Sequence, residues 1–182
     1  MKKEFVAGRL DVVAFAQDGA RLDGLEPLRS RTRLLAETQG LGADLGIRWS
    51  AVGELRPKAG AEPEVWLHLS ALAVLPLTCQ RCLGPVDVPL EVERSFRFVA
   101  DEETASVLDD ESEEDLLAIS RSFDLHELVE DELLMEMPPV PRHDQCPTEV
   151  KLAAADEAFE AQEASQPNPF AVLQKLKTDK RN

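Results

Sequence analysis

The sequence is poor in aromatic residues and in positive charge. Its 182 residues include no tyrosine, two tryptophans and seven phenylalanines, so leucine and valine must supply most of a hydrophobic core. With 20 basic residues against 35 acidic ones, the formal net charge is −15. That balance disfavours a broad nucleic-acid-binding surface, which needs clustered lysine and arginine. It favours basic proteins as partners, although the alternative is that the acidity serves only solubility.

A long hydrophobic run is also missing. The most apolar run, residues 71–77, is far shorter than the about 20 residues that span a bilayer. The charged start at residues 1–3 is not followed by the apolar stretch of a signal peptide, because Gly8 and Asp11 interrupt it. We therefore expect a cytoplasmic protein.

The chain has only three cysteines, which in the cytosol favours metal binding or catalysis over a structural disulfide. Cys79 and Cys82 are separated by two residues and lie between two predicted strands, where a tight turn can point both thiols inward. His143 and Cys146 repeat the same gap. The four side chains make a Cys3His set that suits structural Zn²⁺, and Arg81 is placed to offset its negative charge.

Two other interpretations of the cysteines stay open. Cys79 and Cys82 can be small packed turn residues, or a redox-active dithiol. Thiol redox sites of this spacing place the first thiol at a helix N-terminus, whereas Gly84 and Pro85 lead into a predicted strand. With no Gly-rich phosphate loop and three histidines far apart in the sequence, we predict that the protein is not an enzyme.

The hydrophobic pattern predicts an α+β fold. Period-two alternation indicates strands over residues 45–55, 64–78 and 86–99, and Pro89 marks an edge strand or a bulge. A helix with a capping box is predicted over residues 124–136 and is expected to pack on the apolar face of an antiparallel sheet. The pattern does not decide whether that sheet stays open or closes into a barrel. Weaker signals predict a strand at 4–16 and helices at 25–37, 153–164 and 170–177.

The chain is predicted to form one α+β domain over residues 1–150 and a helical or partly disordered tail over residues 151–182. Residues 101–115 hold nine acidic side chains and no basic one. Such a run is typical of a solvated loop, so we predict an acidic loop at about residues 100–118.

Candidate binding residues fall into two sets. The set predicted to bind a partner protein is Arg81, Glu130, Asp131, Glu132, Asn168, Pro169 and Phe170. Direct contact with RNA is the alternative, and it uses Arg29, Arg31, Arg33, Arg94 and Arg97.

Four motifs in order resemble the YceD family of large ribosomal RNA subunit accumulation proteins. They are Leu77-Thr78-Cys79-Gln80-Arg81-Cys82, the acidic helix from Phe123 to Leu134, the proline-rich loop Pro138-Pro139-Val140-Pro141, and the terminal signature Pro167-Asn168-Pro169-Phe170. The resemblance covers about residues 65–177, and it implies a role in the synthesis, processing or stability of 23S rRNA. It does not imply an established enzymatic activity.

The resemblance and the charge together predict a non-enzymatic factor in large-subunit biogenesis that binds a basic ribosomal or assembly protein. The first alternative is a direct rRNA-binding protein with a structural zinc knuckle. The second is a thiol redox protein that uses the cysteine pair.

Overall fold

The structure, a computed structural model, describes residues 4–149. Within them one sheet has the order β1-β2-β3-β4-β5. The strands are β1 Arg21–Pro27, β2 Gly46–Arg56, β3 Glu64–Thr78, β4 Pro85–Val99 and β5 Asp115–Ala118. The first four strands run antiparallel to their neighbours, and β5 runs parallel to β4. The α+β prediction is confirmed. The sheet is open and not barrel-like, since β1 and β5 do not pair with each other in the described residues.

Four α-helices lie in the described part of the chain: α1 Val12–Gln17, α2 Thr32–Glu37, α3 Glu102–Leu108 and α4 Leu125–Glu136. Short 3-10 turns cover Ala7–Arg9, Leu28–Ser30 and Asp109–Glu111. Helix α4 begins as its capping signal predicted, because the Asp124 carboxylate accepts hydrogen bonds from the N–H groups of His126 and Glu127. None of these helices is both long and apolar enough to span a membrane.

The core lies on one face of the sheet. The buried members of the three long strands alternate with exposed ones, so that one parity of each strand faces the helices: Ile47, Trp49 and Ala51; Val65, Leu67, Leu69, Ala71, Ala73, Leu75 and Leu77; Leu90, Val92, Phe96 and Phe98. Helix α1 packs so closely on β2 that a Cβ on Gly53 would lie 2.8 Å from the backbone of Phe15. Only glycine fits at this contact.

The two weaker predictions at the N-terminus are corrected. Residues 4–16 form a 3-10 turn and α1, and not a strand, because the Asp11 carboxylate accepts the N–H of Ala14 and starts a helix. Residues 25–37 do not form one helix. Their first part pairs with β2 as β1, and the helical part α2 starts only at Thr32. In this second place the pairing of β1 with β2 overrides the local helical pattern.

The acidic segment also differs from its prediction. Instead of a solvated loop, residues 101–115 contain α3, a 3-10 turn and the first residue of β5. The Asp101 carboxylate caps α3 by accepting the N–H of Thr104 at 2.8 Å, and the bond holds the pKa of that carboxyl below its usual value. Acidic residues in the first turn of a helix also favour it through the helix dipole. The acidic run thereby becomes the crossover between β4 and its parallel neighbour β5.

Strand β4 is an edge strand over most of its length, as Pro89 predicted. Strand β5 pairs only with Phe96–Val99, and the Val99 carbonyl accepts the N–H of Ile119 at 2.8 Å. The Val99 carbonyl therefore points away from β3. Because the β3–β4 register has no break, every odd-numbered residue of β4 turns its backbone N–H and carbonyl groups away from β3 in the same way. Pro89 shares that parity, so its missing N–H costs no bond to β3.

The predicted helices at 153–164 and 170–177 lie outside the described residues, as do Asn168, Pro169 and Phe170. The predicted division of the chain near residue 150 stays a prediction.

Candidate metal centre

Cys79, Cys82, His143 and Cys146 come together at one end of the sheet. Their ligand atoms all lie within 4.8 Å of one another. The first pair sits in the turn between β3 and β4, and the second pair in the loop that follows α4. Sixty-seven positions separate Cys79 from Cys146 in the sequence, and the fold brings their Sγ atoms to 4.0 Å from each other.

The turn that carries Cys79 and Cys82 is tightly bonded. The Cys79 N–H donates to the Gly84 carbonyl at 2.8 Å, and the Leu83 N–H donates back to the Cys79 carbonyl at 2.9 Å. Leu83 has a φ of 59°, in the left-handed region that glycine adopts more easily. The turn is thus a sharp knuckle. It lets the thiols of Cys79 and Cys82, which have two residues between them, face the same point.

The loop carrying His143 and Cys146 is fixed to that knuckle. The Gln80 N–H donates to the Pro141 carbonyl at 2.8 Å. Cys82 Sγ then lies 3.5 Å from His143 Nδ1, and Cys79 Sγ lies 4.0 Å from Cys146 Sγ. Ordinary Zn–S and Zn–N bond lengths around a tetrahedral ion place two sulfurs about 3.8 Å apart and a sulfur and nitrogen about 3.5 Å apart. The two separations therefore suit one small tetrahedral cation.

The electrostatics of the sulfurs also favour a cation. Burial of Cys79 favours its neutral thiol, but the backbone N–H groups of Cys82, His143 and Arg81 point at its sulfur, and the net effect lowers the pKa of Cys79 to about 5. Burial raises the pKa of Cys146, and the neighbouring sulfurs of Cys82 and Cys79 raise it further. The backbone therefore stabilises one thiolate, while the crowding of sulfurs opposes a second. A metal ion removes that conflict, because it binds thiolates.

The same geometry argues against the dithiol redox alternative. Cys79 has the lowered pKa but no exposed surface, so an incoming disulfide cannot reach its sulfur. The residues after Cys82 enter β4 and not a helix.

The five arginines predicted for RNA contact do not form a common basic surface. Each is within salt-bridge distance of at least one carboxylate: Arg29 with Asp44, Arg31 with Glu26, Arg33 with Glu130 and Asp131, Arg94 with Glu132 and Asp115, and Arg97 with Glu64 and Glu114. The Arg31 side chain is only 8% exposed. Their role in RNA binding stays a prediction, but neutralised arginines attract phosphate weakly.

The acidic residues of α4 that were predicted to bind a partner are largely used inside the fold. One Glu130 oxygen accepts the N–H groups of Arg33 and Leu34, and thereby caps α2 from a neighbouring helix. Glu132 is 5% exposed, and burial raises the pKa of its carboxyl. Asp131 is 44% exposed. The partner role of these residues stays a prediction, and the burial of Glu130 and Glu132 favours a structural role.

Sequence reasoning missed a second polar cluster, which we call the Glu26 cluster and which comprises Glu26, Arg31, Trp49 and His126. Glu26 accepts a hydrogen bond from the Trp49 indole at 3.1 Å and pairs with Arg31, whose guanidinium donates to His126 Nδ1 at 2.7 Å. Gly24 leaves room for the indole, since a Cβ there would lie 2.3 Å from it. No sequence signal points to this cluster, because Glu26 falls in a segment whose pattern looks helical.

The fold and the site define a small α+β protein whose sheet carries a Cys3His group able to hold a metal ion. Residues 67–177 match the family described as Large ribosomal RNA subunit accumulation protein YceD. That match covers more than half of the chain and includes all four ligand candidates, so the chain belongs to the YceD family. The resemblance seen in the sequence is confirmed.

A relative in Haemophilus influenzae, named Large ribosomal RNA subunit accumulation protein YceD, is 38% identical over 104 residues. The match spans 56% of this chain and 59% of that relative. No solved structure matches this chain. The family name refers to accumulation of large-subunit ribosomal RNA and names no reaction.

Proposed function

We propose that this protein is a non-enzymatic factor in large ribosomal subunit biogenesis that supports the synthesis, processing or stability of 23S rRNA by binding a basic ribosomal or assembly protein. The family name supports the biological role. The observation that carries the mode of action is the pairing of all five candidate arginines with carboxylates. With these five arginines paired, a chain of net charge −15 suits a basic protein better than it suits RNA. Such a factor works in the cytoplasm, where ribosomes assemble.

The metal centre in this proposal is a structural zinc site. Three thiols and one imidazole fill the four tetrahedral positions of Zn²⁺ and leave none for water or substrate. Zinc would fasten the loop of His143 and Cys146 to the knuckle of Cys79 and Cys82. The centre therefore gives the binding protein its shape and has no role in a reaction.

The test uses full-length protein carrying an affinity tag other than polyhistidine. The immobilised protein is mixed with an extract enriched in large-subunit precursors, with and without nuclease, and retained large-subunit proteins are identified by mass spectrometry. We expect basic ribosomal proteins to remain bound after nuclease treatment and to elute as salt rises. Loss of every ribosomal protein on RNA digestion would contradict the proposal.

One observation supports direct rRNA contact as a second candidate function. Arg81 and Arg142 are exposed on the two halves of the metal centre, and neither lies in a salt bridge within the described part of the chain. If they contact phosphate, Arg81→Ala and Arg142→Ala should weaken binding of a 23S rRNA fragment and flatten its salt dependence. Arg29→Ala is the matched control, because Arg29 pairs with Asp44. Equal affinities for all three variants would remove this candidate.

A further inference from the structure

Strand β4 has an outer edge that the described chain leaves unpaired. We define this edge as residues 86–95, which precede the four residues paired with β5. Among residues 4–149 no other strand lies against it. The odd-numbered residues of β4 turn their backbone groups outward, as the bond from Ile119 to Val99 establishes. Glu91 and Glu93 therefore offer N–H and carbonyl groups along an open sheet edge, which is a template for another extended chain.

The same residues carry negative side chains. Asp87, Glu91 and Glu93 point to the sheet face opposite the helices, and all three are exposed. In the described structure none of them lies within salt-bridge distance of a basic group. Their cross-strand neighbours on β3 are uncharged: Glu91 lies opposite Leu72, and Glu93 opposite Ser70. The outer edge thus combines free backbone groups with free carboxylates.

Elsewhere on this face the carboxylates are already matched. Glu54 pairs with Arg56, and Glu64 pairs with Lys58 and Arg97. The pKa of both glutamates lies below the usual value. The largest cause is a side-chain hydrogen bond, from His68 to Glu54 and from Lys58 to Glu64. On this face, basic side chains therefore pair with Glu54 and Glu64. In the described residues none lies within salt-bridge distance of Glu91 or Glu93.

We propose that the outer edge of β4 binds a basic, extended segment of a partner protein, which adds to the sheet as a further strand. This rests on the proposed function, since the segment belongs to the basic partner named there. Backbone hydrogen bonds give such an interaction its affinity, and alternate side chains give it selectivity. The added strand would carry a lysine or arginine at every second position. The Cβ atom of each such residue would lie about 4.5–5.5 Å from the Cβ atom of the acidic residue that faces it. Pro89 removes one N–H from the template but leaves its carbonyl.

Charges and proline on an edge strand can instead serve only to prevent association of sheets. The two roles predict opposite results when the charge is removed. If the edge is only protected, neutral side chains should leave affinity for a basic strand unchanged or increase it. If it is a docking site, they should weaken that affinity.

The probe is a fluorescent synthetic peptide of alternating lysine and valine, measured by anisotropy against full-length protein. The double variant Glu91→Gln/Glu93→Gln is compared with Glu102→Gln/Glu103→Gln, which has the same net charge and changes exposed residues of α3. Loss of two cross-strand charge pairs should weaken binding about tenfold in the first variant only. The same peptide N-methylated at alternate residues keeps its charge but loses backbone donors, and should also bind about tenfold more weakly. Equal loss in both variants, or full binding of the methylated peptide, would overturn the proposal.

The retention assay separates failure of this proposal from failure of the proposed function. If wild-type protein retains basic ribosomal proteins and Glu91→Gln/Glu93→Gln retains them equally, the outer edge is not the docking site and the proposed function stands. If wild-type protein retains none, the proposed function itself fails. Selective loss in the Glu91→Gln/Glu93→Gln variant supports both.

Discussion

The metal centre and the Glu26 cluster are both polar groups set against the same sheet, but the chain treats them differently. In the Glu26 cluster, a carboxylate, a guanidinium, an imidazole and an indole bond to one another. In the metal centre, three thiols and an imidazole face one another without a cationic side chain bonded to them in the described chain. The charged groups of the Glu26 cluster find partners among its own residues, although Arg31 Nε is buried without one in the described residues, whereas the four side chains of the metal centre would be matched by a bound cation.

This difference distinguishes a polar cluster that needs no ligand from one that is suited to binding a metal ion. Buried polar groups cost free energy unless each finds a partner. A cluster whose charged groups bond to one another needs no ligand, whereas one that gathers several electron-pair donors around one point is stabilised by a cation. The experiments below therefore compare the loss of one candidate metal ligand with the loss of carboxylates that are matched within the fold.

The largest effect is expected for Cys79→Ser. The variant loses one of four candidate ligands and a sulfur whose pKa is lowered by backbone N–H groups, so zinc should fall from one per chain towards none. The free energy of unfolding should drop by about 3–5 kcal/mol, less than the whole folding energy that zinc supplies to zinc-finger peptides, because a hydrophobic core remains. Metal analysis and thermal unfolding check both.

A chelator provides the matched control for that variant. It should lower the unfolding temperature of wild-type protein and leave that of Cys79→Ser unchanged. Mild acid should release the metal from wild-type protein, because protons compete for the thiolates. Wild-type protein that carries no zinc and does not respond to chelator would contradict the assignment.

An intermediate effect is expected for Glu130→Ala, which removes a buried carboxylate that, like Glu26, is matched by groups of the chain itself. Its carboxylate caps α2 through the N–H groups of Arg33 and Leu34, so removal should cost about 2–3 kcal/mol of unfolding free energy. Asp131→Ala is the control, since Asp131 is half-exposed and pairs only with Arg33, and a loss of about 0–1 kcal/mol is expected. Urea unfolding measures both, with zinc content unchanged. A smaller loss for Glu130→Ala than for Asp131→Ala would mean that the buried cap is unimportant.

The smallest effect concerns pH and Glu132. Burial raises the pKa of this carboxyl above its ordinary value of 4.5, despite the attraction of Arg94. The folded state therefore holds its proton more tightly than the unfolded state, and stability falls as pH rises from 4.5 through the raised pKa. Glu132→Gln should remove that fall. Urea unfolding across this range compares it with Glu127→Gln, an exposed residue of the same helix that should leave the slope as in wild type.

The three long strands and helix α4 were predictable, whereas the start of the chain and the acidic segment were not. Strands β2, β3 and β4 alternate buried and exposed residues over most of their length, which is a local property of the sequence. The start of the chain becomes helical because Asp11 caps it, and Leu10 pairs with Phe123. Such a partner, far away in the sequence, leaves no trace in a local pattern.

The candidate site was predictable for a different reason. Two cysteines two residues apart in a hairpin turn, followed by a histidine and a cysteine at the same gap, specify ligands by residue type alone. The N–H groups that lower the pKa of Cys79 belong to the backbone and carry no signature in side chains. The neutralisation of Arg31 and Arg97 likewise depends on how β1, β3 and α4 pack, which residue types alone do not reveal.

The separation of the two halves of the metal centre along the chain has a consequence during protein synthesis. Strands β1 to β4 pair with sequence neighbours and are complete at Val99, but α4 and Cys146 emerge later. Translation proceeds at roughly 5–20 residues per second. For several seconds, therefore, part of the apolar face of the nascent sheet is uncovered, and the thiols of Cys79 and Cys82 lack the other two ligands. Protection from aggregation and from incorrect metals is therefore needed most in that interval, before translation reaches the final ligand.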